Sequence, residues 1–344
     1  MIEWFGRHLE DRGEVGVVSR PEPAFLPYRQ PAGRAVAQNT RPIETQTWRL
    51  PSIRDRRRWW VGSAQSYPSL YLEDSAAPAV VWNPFVSQAA VGANPFTSGQ
   101  PTVIDLLDDW TVHFAFQSIK PEVERAYAAS FDAASVVTAN AEGTVELARR
   151  FGRDDVILLP NGVDPQRFDT HSQAAGPTTI GYVGKIGKRL DLDLILKVAA
   201  AFPGMQFIFA GPILDAEYRK PLESMPNVEL LGDVHYEDVP SLLTRFDIGW
   251  VPHNVGVGEV GGDVIKTYEY RAAGLPVLTT PIEGANSRGL TSVAVIDRDH
   301  QVDWIHALDR QGERVARAPG DVPADATWQV KSRLILQKLG LIVK

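Results

Sequence analysis

Between residues 179 and 298 six short runs rich in β-branched and aromatic residues recur: TIGYVG (179–184), QFIFAG (206–211), VELLGD (228–233), IGWVPH (248–253), PVLTTP (276–281) and VAVIDR (293–298). The segments between them have helical length and helical spacing of apolar residues. Strands that read as nearly continuous apolar runs, alternating with helices, predict a doubly wound parallel sheet with helices on both faces. This pattern excludes all-α, all-β and fibrous folds at once.

The first half repeats the theme less regularly. VGVVSR (15–20), AVVWNPF (79–85), PTVIDLL (101–107), SVVTAN (135–140) and VILLPNG (156–162) are strand candidates, and a Pro-containing, loop-rich stretch covers about 22–78. At 344 residues the chain has roughly twice the length of a usual domain. The reading is therefore an α/β protein of two Rossmann-like domains, residues 1–165 and 166–325, joined in the polar segment 164–178. A last helix, ATWQVKSRLILQKLGLI (326–342), comes after the second domain already has its strands, so 326–344 could cross back onto the first. The chain's start is unusual. IEWFGRHLEDRG (2–13) reads as an amphipathic helix with Trp4, Phe5 and Leu9 inward, whereas a Rossmann domain opens with a strand and a glycine turn. The first strand of the first domain is missing, so either the sheet begins one unit late or the true start codon lies upstream.

Composition narrows the chemistry. With 42 acidic against 35 basic residues and a net charge of −7, the chain lacks the basic excess of a general nucleic-acid binder. The absence of cysteine removes disulfides, thiolate nucleophiles and cysteine metal sites. The sequence has neither a run of about 18 apolar residues nor a signal-peptide pattern at its start, and the expected location is cytoplasmic. The one concentrated basic run, RDRRRWW (54–60), has two readings: a solvated helix start carrying core tryptophans, or a peripheral contact with the inner face of a membrane, with Trp59 and Trp60 at headgroup level.

Two loops carry the chemical signal. GYVGKIGKRLD (181–191) leaves a strand and opens a helix. Its glycines 181, 184 and 187 are three apart, unlike the spacing of a dinucleotide-binding turn. Gly184 supplies flexible backbone, and Lys185, Lys188 and Arg189 supply positive charge just before a helix N-terminus, a suitable place for an anion. GGDVIKTYEYRAAG (261–274) follows a strand in the same way. Val264, Ile265, Tyr268 and Ala272 form the expected core arc, and Asp263 is the expected N-cap. Lys266 is out of place as a cation in the first turn, and Glu269 lies on the flank of the arc. Ligands of doubly wound sheets sit beyond the carboxyl ends of the strands, where both loops lie, so a diphosphate between them would account for Lys266, and ribose hydroxyls would suit Glu269. The acid pairs Asp191/Asp193 and Asp108/Asp109 are poor metal candidates, because Asp191 opens a helix and Asp193 falls on its outer face. No metal is expected. In the first half, Asp105 and His113 follow a strand and are candidate substrate contacts.

Residues 135–164, 179–191 and 263–280 together resemble the GT-B-fold, family-4 type of retaining glycosyltransferases, in particular a bacterial subgroup with a Pro-x-Lys-x-x-Glu-Tyr signature; here Val264 stands in place of the proline. The resemblance implies two facing Rossmann-like domains with the active site in the cleft, and transfer from a nucleotide-sugar to a glycan, lipid-linked or small-molecule acceptor, with retention and without a cofactor. By position it implies that Glu269 binds the donor ribose and that Lys185 and Lys188 support the leaving diphosphate. It also implies that the backbone of Gly261, Gly262, Asp263, Val264 and Ile265 faces the phosphates and the donor sugar. Many members carry a glutamate eight residues before the ribose-binding one, where this chain has Gly261. That departure keeps two alternatives open: a catalytically weak sugar-nucleotide-binding accessory protein, and a sugar-nucleotide epimerase of the same fold.

Overall fold

The computed structural model describes residues 1–25, 38–52, 54–70, 77–256, 261–285, 288–308, 314–318 and 322–343. The chain divides into two compact units: Met1–Pro160 with Val260–Gly262 and Trp328–Lys344, and Asn161–Glu259 with Asp263–Thr327.

The first unit opens with α1 (Ile2–His8), whose Phe5 is buried. Strands β1 (Val15–Val18), β2 (Glu22–Pro23), β3 (Thr40–Ile43) and β4 (Gln46–Thr47) form two small parallel pairs, β1 with β3 and β2 with β4. Helix α2 (Arg58–Ser63) leads to β5 (Ala79–Val81), β6 (Thr102–Leu106), α3 (Lys120–Ala133), β7 (Val136–Ala139), α4 (Glu142–Arg150) and β8 (Ile157–Leu158). Strands β5 to β8 make a parallel sheet in sequence order. The expected strands all form; β2, β3 and β4 lie inside the stretch read as loop, because runs of two to four residues interrupted by Pro leave no period to detect.

Strand β9 (Thr179–Val183) begins the second unit. It is followed by α5 (Leu192–Ala201), β10 (Gln206–Ala210), α6 (Arg219–Glu223), β11 (Val228–Gly232), α7 (Val239–Leu243), β12 (Ile248–Val251), α8 (Ile265–Ala272), β13 (Val277–Thr279), β14 (Val293–Val295) and α9 (Gln301–Ala307). All neighbours are parallel, in the order β11-β10-β9-β12-β13-β14. The chain winds outward from β9 in one direction and from β12 in the other, so the switch point lies between these two strands. Alternation along β10 shows both faces buried: Phe207 and Phe209 pack with Leu194, Ile195 and Trp250, whereas Ile208 and Ala210 pack with Tyr268, Tyr270 and Phe246.

Helix α10 (Trp328–Lys338) returns to the first unit, where Ile335, Leu336 and Leu339 pack on Phe5 and Val103. It also supplies a charge. Lys331 Nζ stands 3.3 Å from Asp105 Oδ1, the two side chains being 2% and 0% exposed. Asp105 accepts further hydrogen bonds from Trp82 Nε1 (2.9 Å) and Thr138 Oγ1 (2.8 Å). The sequence-based assignment of Asp105 as a substrate contact is therefore corrected: its carboxylate is fully committed inside the first unit. Of the two readings of 54–60, the one with core tryptophans describes the packing. Trp59 is 7% exposed and donates its Nε1 hydrogen to Pro21 O (3.0 Å), and Trp60 packs edge-on against Trp110 and Phe116, so these rings are core anchors. No helix among the described residues is long and apolar enough to cross a membrane.

A buried ion pair that loses one partner leaves a stranded charge. Lys331→Met is expected to destabilise the protein by about 3 kcal/mol in urea unfolding, and adding Asp105→Asn should recover most of the loss. A single variant as stable as wild type would show that the pair is not a stabilising contact.

Candidate functional site

The two loops singled out in the sequence leave the carboxyl ends of β9 and β12, on either side of the switch point. The first runs from Gly184 to Asp191 and is held from below. Asp215 Oδ2 accepts a hydrogen bond from Lys188 N (2.9 Å), and a side chain on Gly187 would collide with that carboxylate. Asn254 Nδ2 donates to Lys188 O (2.9 Å) and Leu190 O (3.0 Å), while Tyr182 Oη donates to Lys185 O (3.1 Å). Asp191 then caps α5 by accepting from Leu194 N (2.9 Å). With the backbone pinned, the side chains of Lys185 and Lys188 are exposed and Arg189 is half-buried. The result is a rigid loop that presents three cations.

The second loop ends in α8, and here the sequence reading needs correction. The N-cap is Val264, without a side-chain cap. Asp263 instead turns inward, 4% exposed, where its carboxylate accepts from Asn161 N and Tyr268 Oη (2.8 Å each) and pairs with Arg288 (3.2 Å). Asn161 Nδ2 returns a hydrogen bond to Asp263 O (3.0 Å), which ties the PNG turn to the start of the helix. The expected arc is buried at Tyr268 (0% exposed) and Ala272 (3%), with Val264 packed against the core, but Ile265 is 37% exposed. Burial extends beyond the arc, since Glu269 is 8% and Tyr270 and Arg271 are 0% exposed. Helical periodicity alone missed these residues, because Tyr270 finds its place over a glycine. A Cβ on Gly249 of β12 would strike the Tyr270 ring, and the ring lying there lets its Oη accept from Val183 N (2.8 Å) at the end of β9.

Lys266 lies over the first loop. Gly184 has φ +148°, and a Cβ there would overlap Lys266 Cε and sit 2.8 Å from Lys266 Nζ, so only glycine lets the lysine lie against the turn. Lys266 Nζ also stands 5.4 Å from the centre of the Tyr182 ring. Burial pushes the Glu269 carboxyl up to about 7, with the Lys266 charge pulling the other way. His253, which follows β12 directly, is 4% exposed, and its Nε2 makes no hydrogen bond among the described residues. Burial and then the Lys266 and Arg189 charges hold His253 well below its ordinary range, so its imidazole is neutral. Sequence reasoning passed over His253; its place just beyond the carboxyl end of a strand was the available signal. Lys185, Lys188, Gly184, Arg189, Lys266 and Glu269 thus gather with His253 at one sheet edge, where concentrated positive charge, backbone N–H groups and a buried acid can bind an anion with polyhydroxyl groups next to it.

The remaining assigned residues belong to the first unit. His113 caps the turn of residues 114–119 by accepting from Ala115 N (2.9 Å) and packs against Phe114 and Phe116. Gly261 has φ +66°, and a Cβ there would approach Gly143 Cα to 3.1 Å; a side chain on Gly262 would meet Leu107 O. Both glycines are required by backbone and space. Among the described residues no three acidic or histidine side chains are grouped to hold a metal.

Because the folded protein keeps the Glu269 proton to about pH 7 while the unfolded chain releases it near 4.5, this group's contribution to stability is present below pH 4.5 and lost by pH 7. Relative to wild type, Glu269→Gln should remove a loss of about 3 kcal/mol between those limits, read by urea unfolding of the ligand-free protein at both pH values. Parallel pH profiles for the two proteins would contradict the buried, protonated carboxyl.

Comparison with known proteins agrees with this construction. The profile of glycosyl transferases group 1 matches residues 177–311, which span both loops. TuaH of Bacillus subtilis (strain 168), named as a glycosyltransferase of teichuronic acid biosynthesis, is 27% identical over 171 residues, covering 46% of this chain and 43% of the relative, so the match spans less than half of that protein. Sucrose-phosphate synthase from Thermosynechococcus elongatus superposes with a TM-score of 0.71 at 14% identity over 97% of this chain and 90% of that one. HepE of Anabaena, solved in complex with UDP-glucose, does so with a TM-score of 0.50 at 16% identity over 71% and 70%. At such identities the likeness speaks to the fold, which is GT-B, with two Rossmann-like α/β units. What the comparisons show is a match of residues 177–311 to glycosyl transferases group 1, on a chain whose fold is that of GT-B proteins.

Proposed function

We propose that the protein is a nucleotide-sugar-dependent glycosyltransferase whose donor diphosphate lies between the Gly184–Arg189 loop and the start of α8. The observation that carries this reading is the approach of Lys266 to the side-chain-free turn at Gly184, with Glu269 buried one helical turn further on. A first-turn lysine opposes the helix dipole unless an anion is shared between them. In this reading Lys185, Lys188 and Arg189 and the amides of 263–265 stabilise charge on the departing nucleoside diphosphate, which is the work a metal would otherwise do. Glu269 accepts hydrogen bonds from the ribose hydroxyls; binding in its ionised form withdraws it from the protonated state favoured by burial. Transfer with retention onto a glycan, lipid-linked or small-molecule acceptor completes the proposal. It is in keeping with the teichuronic acid relative and with the UDP-glucose bound by HepE.

A sugar-nucleotide-binding accessory protein is the second reading, favoured by Gly261, whose left-handed backbone and crowded Cβ position leave no place for a sugar-contacting glutamate. A thermal-shift screen of uridine, guanosine, thymidine and adenosine diphosphates identifies the base, since a bound ligand raises Tm with occupancy. With that nucleotide, Glu269→Ala is expected to weaken binding at least tenfold and abolish transfer, and the Lys185→Ala/Lys188→Ala pair to lower turnover about a hundredfold. Near wild-type turnover in Glu269→Ala would overturn the assignment; nucleotide binding without turnover over a panel of donors and acceptors would favour the accessory reading.

A further inference from the structure

The tryptophans of α2 are core anchors, but the strands beside that helix expose other large apolar side chains. Phe25, Trp48 and Leu50 are 43%, 81% and 80% exposed. One such residue on a surface is ordinary; these three leave the fold at one place. Strands β2 and β4 run parallel with Pro23 opposite Thr47, and Ala24 N donates to Thr47 O (2.8 Å). Phe25 and the segment Trp48–Leu50 therefore emerge from the same carboxyl end of this pair. Helix α2 is fastened to it. Arg49 Nη1 donates to Gly62 O (3.3 Å), Thr47 Oγ1 donates to Ser66 Oγ (3.1 Å) just after the helix, and Trp59 Nε1 reaches Pro21 O just before β2.

The charge here is opposite to that of the whole chain. Residues 48–58 hold five arginines and one aspartate, a local +4 in a chain of net charge −7. Arg49, Arg54, Arg56 and Arg57 are exposed, and Arg58 is shared between Asp55 (3.9 Å) and Glu122 (3.7 Å). Arg56, Arg57 and Arg58 stand at the start of α2, where the helix dipole favours acids, so these cations do not serve the helix. Exposed aromatic and leucine side chains together with arginines suit the boundary of a bilayer: the apolar groups enter at headgroup depth while the guanidinium groups stay with the phosphates. A soluble acidic polymer would use the arginines but has no use for Leu50. A chain acidic elsewhere and basic at one apolar end meets an anionic surface with that end first. We propose that Phe25, Trp48 and Leu50, with Arg49, Arg54, Arg56 and Arg57, form a docking surface for an anionic lipid bilayer. This goes beyond the transferase reading and does not rest on it.

The test is sedimentation of the whole protein with vesicles of phosphatidylcholine alone or of phosphatidylcholine mixed with phosphatidylglycerol. Binding to the mixed vesicles is expected to be at least tenfold tighter than to the neutral ones and to be lost in high salt. The double variant Trp48→Ser/Leu50→Ser should bind about tenfold more weakly, and Arg54→Glu/Arg56→Glu/Arg57→Glu about a hundredfold. All five side chains are exposed, and acids suit a helix start, so both variants should keep the wild-type Tm. Failure to bind the mixed vesicles, equal binding to neutral ones, or full binding by Trp48→Ser/Leu50→Ser would each overturn the proposal. Binding of dextran sulfate without binding of vesicles would overturn it too, by giving the arginines to a soluble acidic polymer. No readout involves nucleotide, so this outcome stands apart from the fate of the transferase reading.

Discussion

The parallel pairing of β9 with β12 is the constraint from which the candidate site follows. Because crossovers leave these two neighbours in opposite directions, the loops at their carboxyl ends diverge and open a crevice between them. Each loop is then fixed by contacts below that edge: Asp215 and Asn254 under the first, Asp263 with Asn161, Tyr268 and Arg288 under the second. The sheet can therefore hold cations close together without their own mutual repulsion deciding the backbone. Two glycines make the arrangement compact. Gly249 admits the Tyr270 ring against β12, and Gly184 admits Lys266.

Buried charge appears twice in the molecule with opposite consequences. In the first unit Lys331 and Asp105 are closed off as an ion pair at 3.3 Å, with Trp82 and Thr138 supplying the acid's hydrogen bonds, while Lys331 Nζ makes no hydrogen bond among the described residues. In the second, Glu269 and His253 are nearly as buried but sit beside a surplus of positive charge, and Glu269 is driven toward its neutral form. Satisfied pairs stabilise a fold, whereas a perturbed acid and an orphaned imidazole next to exposed lysines are groups held ready for a ligand.

Where local pattern and tertiary packing agree, residues could be read directly. All the apolar runs taken as strands form strands, because burial on both faces demands the continuous β-branched and aromatic runs that make them visible. The loops with Lys185, Lys188, Lys266 and Glu269 were legible for a related reason, since a cation at a helix start conflicts with the dipole and asks for an explanation. Other residues were misread where a partner distant in sequence decides. Asp105 looks like any acid at a strand end until Lys331, 226 positions later, is placed beside it. Trp59 and Trp60 allowed a core and a surface reading, and Pro21 and Trp110, distant in sequence, favour the core. His253 carries only the signal of its place beyond a strand end, and its burial beside Lys266 and Arg189 appears only in the fold.

The sequence by itself determined the alternation of strands and helices, hence the parallel doubly wound class, and the two glycine- and lysine-bearing loops at strand ends. Tertiary structure decided that Glu269, Tyr270 and Arg271 of α8 are buried beyond the expected arc and which acids are committed to ion pairs. The division has one physical cause. Strand and helix periods are written in side chains a few residues apart, whereas ring-over-glycine contacts, buried ion pairs and sheet edges join residues from strands and helices far apart in the chain, and their energies exist only once those elements are packed.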